Sequence, residues 1–315
     1  MKKCIVMFSG GLDSRLTLKI MQEQGFEVIA LFFKLPFGTS FCDEKDVVNF
    51  LKEVKFKIFD CTKGKLLQEY LKVVKKATHG RGAGVNPCID CRIFMLRKAK
   101  EFADKNKINL VVTGEVVGER PMSQMKKKMD LIEEKSGLKG RLLRPLSAKL
   151  LPETEAEKKG FVDRQNLFDI HGRRRENQIK LAKKFGIKYP HPAGGCLLCE
   201  KNLRKRLKYL LNRGMNNDEI KLVSIGKHFV IDDYWVVLGR NEKENKILEL
   251  IGKKYTLFIP KFPGPSAIVL DYPPTISRPS APRNAEVINK IGMLVKAYSK
   301  KGSLEERKKF ERFRL

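Results

Sequence analysis

Short apolar runs alternate with amphipathic stretches through the first half of the chain. Cys4-Ile5-Val6-Met7-Phe8 reads as a strand and Arg15 to Gln24 as the helix after it. Glu27 to Phe33 follows as a strand, Asp43 to Val54 as a helix, Lys55 to Thr62 as a third strand and Leu66 to Ala77 as a helix. Asp90 to Lys105 is a longer helix with Ile93, Leu96, Ala99, Phe102 and Ala103 on one face, and Asn109 to Thr113 is a fourth strand. Strand and helix in strict turn predict an α/β fold, a Rossmann-like parallel sheet with helices on both faces. A ligand then belongs beyond the strand C-termini, where Ser9 to Ser14, Phe33 and Thr113 to Glu115 would gather.

Later positions change character. A polar, basic helix is expected over Ser123 to Ser136, a helix start at Leu151-Pro-Glu-Thr-Glu155, and another helix from Arg173-Arg-Arg175 through Lys184. His191-Pro-Ala-Gly-Gly-Cys196 is a turn, and Lys201 to Asn212 a basic helix. Beyond it, His228 to Ile231 and Trp235 to Leu238 suit an antiparallel pair joined at Asp232-Asp233-Tyr234. A helix to Gly252, a strand from Tyr255 to Pro260, a proline-rich loop from Asp271 to Arg283, a last helix from Ala285 to Tyr298 and a basic tail complete the reading. The expected division is residues 1–200, a basic helical linker over 201–222, and a small α+β domain over 223–315.

Charge adds a partner. The 315 residues include 65 lysines and arginines against 36 acidic residues, a formal charge of +29. Such an imbalance suits a polyanion, with RNA or DNA ahead of a membrane surface. No apolar run approaches the roughly 18 residues that span a bilayer, and no signal peptide is visible, so a soluble cytoplasmic protein is expected.

Seven cysteines are present: Cys4, Cys42, Cys61, Cys88, Cys91, Cys196 and Cys199. Cys4 and Cys61 sit in strand-like runs as small buried residues, whereas the other pairs are two C-x-x-C spacings. In a cytoplasmic chain these point to an iron–sulfur centre, a persulfide-passing pair or a zinc knuckle. Cys88 and Cys91 open a helix whose dipole, with Arg92, should favour thiolate. Gly80 to Gly84, just before them, reads as a lid or a connector. His79, His171, His191 and His228 show no ligand-like spacing.

Ser9-Gly10-Gly11-Leu12-Asp13-Ser14 stands between strand and helix. Paired glycines admit a ligand close to the backbone, and the helix start offers unpaired N–H groups to an anion such as a phosphate chain. The spacing is neither G-x-x-x-x-G-K-[ST] nor G-x-G-x-x-G. The plain alternative is an ordinary turn with Asp13 or Ser14 as N-cap.

This loop resembles S-G-G-x-D-S, the pyrophosphatase loop (PP-loop) of enzymes that split ATP between its α and β phosphates. Together with Asn86-Pro-Cys-Ile-Asp-Cys-Arg92, Gly194-Gly-Cys-Leu-Leu198, Thr113 to Gln124 and Arg144 to Thr154, it makes residues 1 to about 200 similar to the tRNA thiouridine synthases of that superfamily. Residues 226 to 270 resemble the RNA-binding domain of the NFACT proteins. The resemblance implies an adenine nucleotide alpha hydrolase-like fold and an ATP-dependent tRNA sulfurtransferase. Ser9, Gly10, Gly11, Asp13, Ser14, Phe33 and Gly114 would bind ATP, with Mg²⁺ at Asp13. A uridine oxygen would attack the α-phosphorus, and sulfur would displace AMP. Asp13, Cys88, Cys91 and Cys196 would be catalytic, the three thiolates holding a [4Fe-4S] cluster with one open iron; Zn²⁺ is the alternative. Cys199, where relatives usually have Thr, would stand near the metal but be held less firmly. The implied partners are tRNA and a sulfide donor; no membrane is involved, and a homodimer is left open. Competing readings are a PP-loop ligase acting on a small molecule and a non-catalytic zinc RNA-binding protein.

Overall fold

The computed structural model describes residues 2–38, 44–190, 195–270 and 285–315, which form two compact units, Met1–Cys199 and Glu200–Leu315. Cys42, Asp43, His191 to Gly194 and the Asp271 to Arg283 stretch lie outside the described residues.

The first unit runs β1 (Lys2–Phe8), α1 (Leu12–Glu23), β2 (Phe26–Lys34), α2 (Glu44–Phe50), β3 (Lys55–Asp60), α3 (Gly64–Lys76), α4 (Cys88–Lys105), β4 (Val111–Thr113), α5 (Lys126–Ser136), β5 (Leu142–Leu143), α6 (Glu155–Lys158) and α7 (Glu176–Lys184). All strand pairings in it are parallel, in the order β3-β2-β1-β4-β5. Period-two alternation sorts β1 between two cores. Cys4, Val6 and Phe8 join Leu16 and Met21 of α1 on one face, while Ile5 and Met7 meet Ile89, Ile93 and Leu96 of α4 on the other. This is the α/β sheet covered on both faces that the alternation predicts. The chain leaves β1 towards β2 and β3, then returns to the opposite side at β4. The crevice between β1 and β4 is therefore the topological switch point.

Several elements differ from expectation. The fourth strand is three residues long, and the two-residue β5 beside it is too short to read from periodicity. The helix expected from Leu151 is a single turn, nucleated by Thr154 and Glu157 in a capping box. Cys88 and Cys91 lie inside the first turn of α4, which starts two residues earlier than the apolar pattern suggests.

The second unit contains α8 (Arg204–Arg213), α9 (Asn217–Leu222), β6 (Lys227–Ile231), β7 (Tyr234–Leu238), α10 (Glu242–Gly252), β8 (Thr256–Phe258), β9 (Ala267–Leu270), α11 (Ala285–Ala297) and α12 (Leu304–Glu311). Its antiparallel sheet has the order β6-β7-β9-β8. Asp232 and Asp233, both at positive φ (45° and 69°), make the two-residue hairpin turn between β6 and β7. Part of the expected basic tail is helical: Ser303 and Glu306 cap α12 reciprocally, and Phe310 packs it onto the core. The chain end then pairs with β6 through Phe313, Arg314 and Leu315. No described helix is long and apolar enough to cross a membrane.

Candidate active site: phosphate loop and paired cysteines

Gly10 turns the chain out of β1 at φ 81°, a conformation that costs a residue with a Cβ. Gly11 occupies the N-cap position of α1, and no side chain caps the helix. Ser14 Oγ donates instead to Gly11 O (2.9 Å). Neither Asp13 nor Ser14 acts as an N-cap, which leaves the first-turn N–H groups to a ligand. Arg15, buried at 3% exposure, holds the loop from behind: its Nε donates to Gly10 O (2.7 Å), its Nη1 to Lys188 O (2.9 Å), and its Nη2 pairs with Asp46.

Gly114, at the end of β4, presses against this turn. A Cβ there would stand 2.7 Å from Asp13 O and 3.0 Å from Ser14 N, so only glycine permits the approach. Burial pushes the Asp13 carboxyl up to about 7; Glu119 adds to this, while Arg175, Arg120 and Gln178 pull the other way. Glu119 itself accepts from Arg175 Nη2 (2.6 Å). Gln178 is fully buried on α7, yet neither of its amide atoms nor Asp13 Oδ1 completes a hydrogen bond of good geometry. An orphaned carboxylate oxygen beside an uncapped helix start suits a divalent cation carrying a phosphate chain.

One residue further, Glu115 connects the loop to the cysteines. It is buried, pairs with Arg92 Nε (3.1 Å) and Arg144 Nε (3.2 Å), and accepts from Thr113 Oγ1 (3.1 Å). Burial alone would raise its pKa, but the two guanidiniums hold it below the ordinary carboxylate value. Arg92 follows Cys91 directly on α4.

The second cysteine pair is stitched to the first by backbone. Leu197 N donates to Phe37 O (2.9 Å), Cys196 bridges to Gly38, and Val85 N donates to Leu198 O (2.9 Å). Gly84 is the close-approach point, since a Cβ on it would lie 2.3 Å from Leu198 O. The Gly80 to Gly84 stretch is a fixed strap: Arg81 donates to Val74, Lys75 and Val85 carbonyls, and Gly82 makes room for the Asn86 side chain. Asn86 Nδ2 donates to Cys88 Sγ (3.0 Å), and Tyr70 OH lies 3.5 Å from Cys91 Sγ. The Cys88 thiol interacts with that of Cys199, and Cys199 with that of Cys196.

Helix dipole and Arg92 do not win at these thiols. Cys88 is raised by its bond to Cys199 and by burial, and burial pushes Cys91 up to about 11. The expected thiolates are therefore held as thiols in the chain alone, because burial outweighs an Arg92 already engaged by Glu115. Among the described residues, no group of three or more His, Cys, Asp or Glu side chains is arranged to hold a metal ion. Thiols are, in kind, the donors that iron–sulfur and zinc sites use.

Residues 1–149 match the family described as "Thiamine biosynthesis protein (ThiI)". A protein described as tRNA-specific 2-thiouridylase MnmA from Nitratiruptor sp. is 31% identical over 119 residues, which is 36% of this chain and 34% of that protein. Another so described, from Campylobacter jejuni, is 32% identical over 118 residues, 36% of this chain and 34% of that protein. Residues 1–149 are thus similar to the ThiI family, and a stretch of about 120 residues is similar to proteins described as MnmA. This chain spans about a third of the length of the curated relatives it matches. A solved structure, "predicted subunit of tRNA methyltransferase" from Methanocaldococcus jannaschii, covers 70% of this chain and 91% of its own at 16% identity, with a TM-score of 0.38, too low to carry an argument.

Around the PP-loop, the residues singled out from the sequence fall into one connected region, with one qualification. Ser9, Gly10, Gly11, Asp13, Ser14 and Gly114 meet at the switch point, and the stretch carrying Cys196 and Cys199 packs against the strap that leads into Cys88 and Cys91. Phe33, expected beside adenine, has its ring stacked on Phe59 at 4.8 Å. Sequence reading missed Tyr70, Glu119 and Gln178. Glu119 lies within the family-like stretch and could have been found there; Gln178 carries no local signal, being an amide on an otherwise ordinary helix.

Proposed function

We propose that this protein is an ATP-dependent tRNA uridine thiolation enzyme. The observation that carries the reading is the continuity of loop and thiols: Gly114 touches the Asp13 backbone, and Glu115 beside it ion-pairs with Arg92, next to Cys91. A small-molecule PP-loop ligase leaves the cysteine pairs and the +29 charge without a task, and a non-catalytic zinc protein leaves the uncapped loop without one.

In this reading the N–H groups of Gly10 to Ser14 take the phosphates of ATP, and Asp13 holds the accompanying Mg²⁺. A uridine carbonyl oxygen attacks the α-phosphorus; the bond to the β-phosphate oxygen breaks, and pyrophosphate leaves. Sulfide then adds to the activated ring carbon, and AMP departs with the original oxygen. No redox change is required. Positive charge from the helix start and from Arg120 offsets the charge that builds on the phosphates. Cys88, Cys91 and Cys196 are the proposed ligands of a [4Fe-4S] cluster, which when bound would hold sulfide from a separate donor for transfer; the exposed Cys199 is the looser fourth thiol. Zn²⁺ in the same thiols would be structural. The second unit, with the basic α8 and the stretch from residue 223 resembling NFACT RNA-binding domains, holds the tRNA.

The test is incubation of anaerobically purified protein with ATP and tRNA. AMP and pyrophosphate are the expected products, and Asp13→Ala should abolish their tRNA-dependent formation; robust ADP production would overturn the reading. Iron, sulfide and zinc analysis of the four single Cys→Ala variants separates cluster from zinc. Thionucleoside analysis of tRNA from a deletion strain identifies the product.

A further inference from the structure

Lys227 opens β6 in an unusual setting. Its ammonium lies 4.4 Å from the centroid of the Tyr298 ring and has no hydrogen-bond acceptor among the described residues. The guanidinium of Arg307 approaches the same ring at 5.6 Å. Arg314 joins them through the chain end, because its bridge to Phe229 puts its side chain on the face of β6 that Lys227 shares. Arg240 follows two residues after Leu238, the β7 partner of Lys227 in register.

These cations are incompletely balanced. Glu311 accepts from Arg314 (3.0 Å) and Tyr298 OH (3.2 Å), and Glu244 is engaged by Arg240. Lys227 has neither carboxylate as a hydrogen-bond partner. Burial, then Arg314, Arg307 and Arg240, hold its pKa below the ordinary lysine value, with Glu311 opposing. A half-buried ammonium without a carboxylate partner, in the field of three guanidiniums, is electrostatically incomplete until an anion arrives.

We propose that Lys227, with Arg307 over the same Tyr298 ring and with Arg314 and Arg240 at the flanking strand positions, grips the phosphate backbone of RNA. The inference rests on the tRNA reading above and names the point in the second unit where the backbone is held. A single small anion would need one or two of these groups; cations drawn from β6, the end of β7, α12 and the chain end suit a string of phosphates. Because Lys227 makes no hydrogen bond, Lys227→Gln should fold as the wild type does.

The test measures binding of unfractionated tRNA to the full chain between 50 and 200 mM KCl. Lys227→Gln is expected to raise Kd at least five-fold and to lower the slope of log Kd against log salt by about 0.7 to 0.9, one phosphate contact. Lys227→Arg should keep most of the affinity, and Lys253→Gln, on an exposed residue outside this group, should change neither quantity. Arg314→Gln is read in the same way should Lys227→Gln misfold. If Lys227→Gln and Arg314→Gln match Lys253→Gln while the wild type binds tRNA, the grip is wrong and the tRNA reading stands. Failure of the wild type to bind tRNA at 50 mM KCl would sink both. Loss of binding to phosphatidylserine vesicles in Lys227→Gln, with tRNA binding intact, would overturn the RNA assignment in favour of a membrane.

Discussion

Asp13 shows at the scale of one residue how a candidate binding site costs the protein stability. Its carboxyl, ordinarily ionised from about pH 4, titrates near 7 in the folded chain. A raised carboxylate pKa means that the folded state prefers the proton. Between about pH 4 and 7 the unfolded chain ionises freely while the folded chain resists, so stability falls as pH rises through that window. Asp13→Asn lacks this penalty. In metal-free buffer its melting temperature should match the wild type near pH 4 and exceed it increasingly up to pH 8. Parallel curves for the two proteins would show that Asp13 is not strained by its surroundings.

Elements supply what single residues cannot: the meeting of α4, β4 and the second cysteine pair. Glu115 balances Arg92 and shares Arg144 with Glu133, so Glu115→Ala leaves the Arg92 guanidinium without a carboxylate and should lower unfolding stability by about 3 kcal/mol in urea titration. Gly84→Ala addresses the stitching. Its methyl group would collide with Leu198 O, so mild oxidation should give much less Cys88–Cys199 cross-link than in the wild type, as read by peptide mass analysis. Undiminished cross-linking would mean that the strap does not set the spacing. The PP-loop and the Cys88 pair were legible in the sequence because each is a contiguous pattern on a strand–helix or helix-start boundary. The seat of the Cys196 pair was not. It depends on Phe37, Gly38, Gly84 and Val85, contacts made across long sequence separations that no local pattern encodes. Tyr70 and Gln178 escaped notice for the same reason, and α12 was hidden because its lysines and arginines read as a tail although Ser303 and Glu306 already formed a cap.

For the whole molecule, the excess of 65 basic over 36 acidic residues would make the proposed binding of tRNA a matter of ionic strength. With roughly 6 to 10 phosphates contacted, binding should weaken by about 10³ to 10⁵ between 50 and 200 mM salt. A salt-insensitive Kd from filter binding would count against a backbone-led interface. The bonds that tie Leu197 and Leu198 to Phe37 and Val85 also govern the order in which the thiol site comes into being. During synthesis from the N-terminus, Cys88 and Cys91 leave the ribosome well before Cys196 and Cys199, and the early strap has nothing to close upon until that later stretch emerges. For that interval the first pair stands beside an unfilled seat, open to oxidants and to stray metal ions. The nascent chain is thus most vulnerable before its own remote segment arrives to shield it.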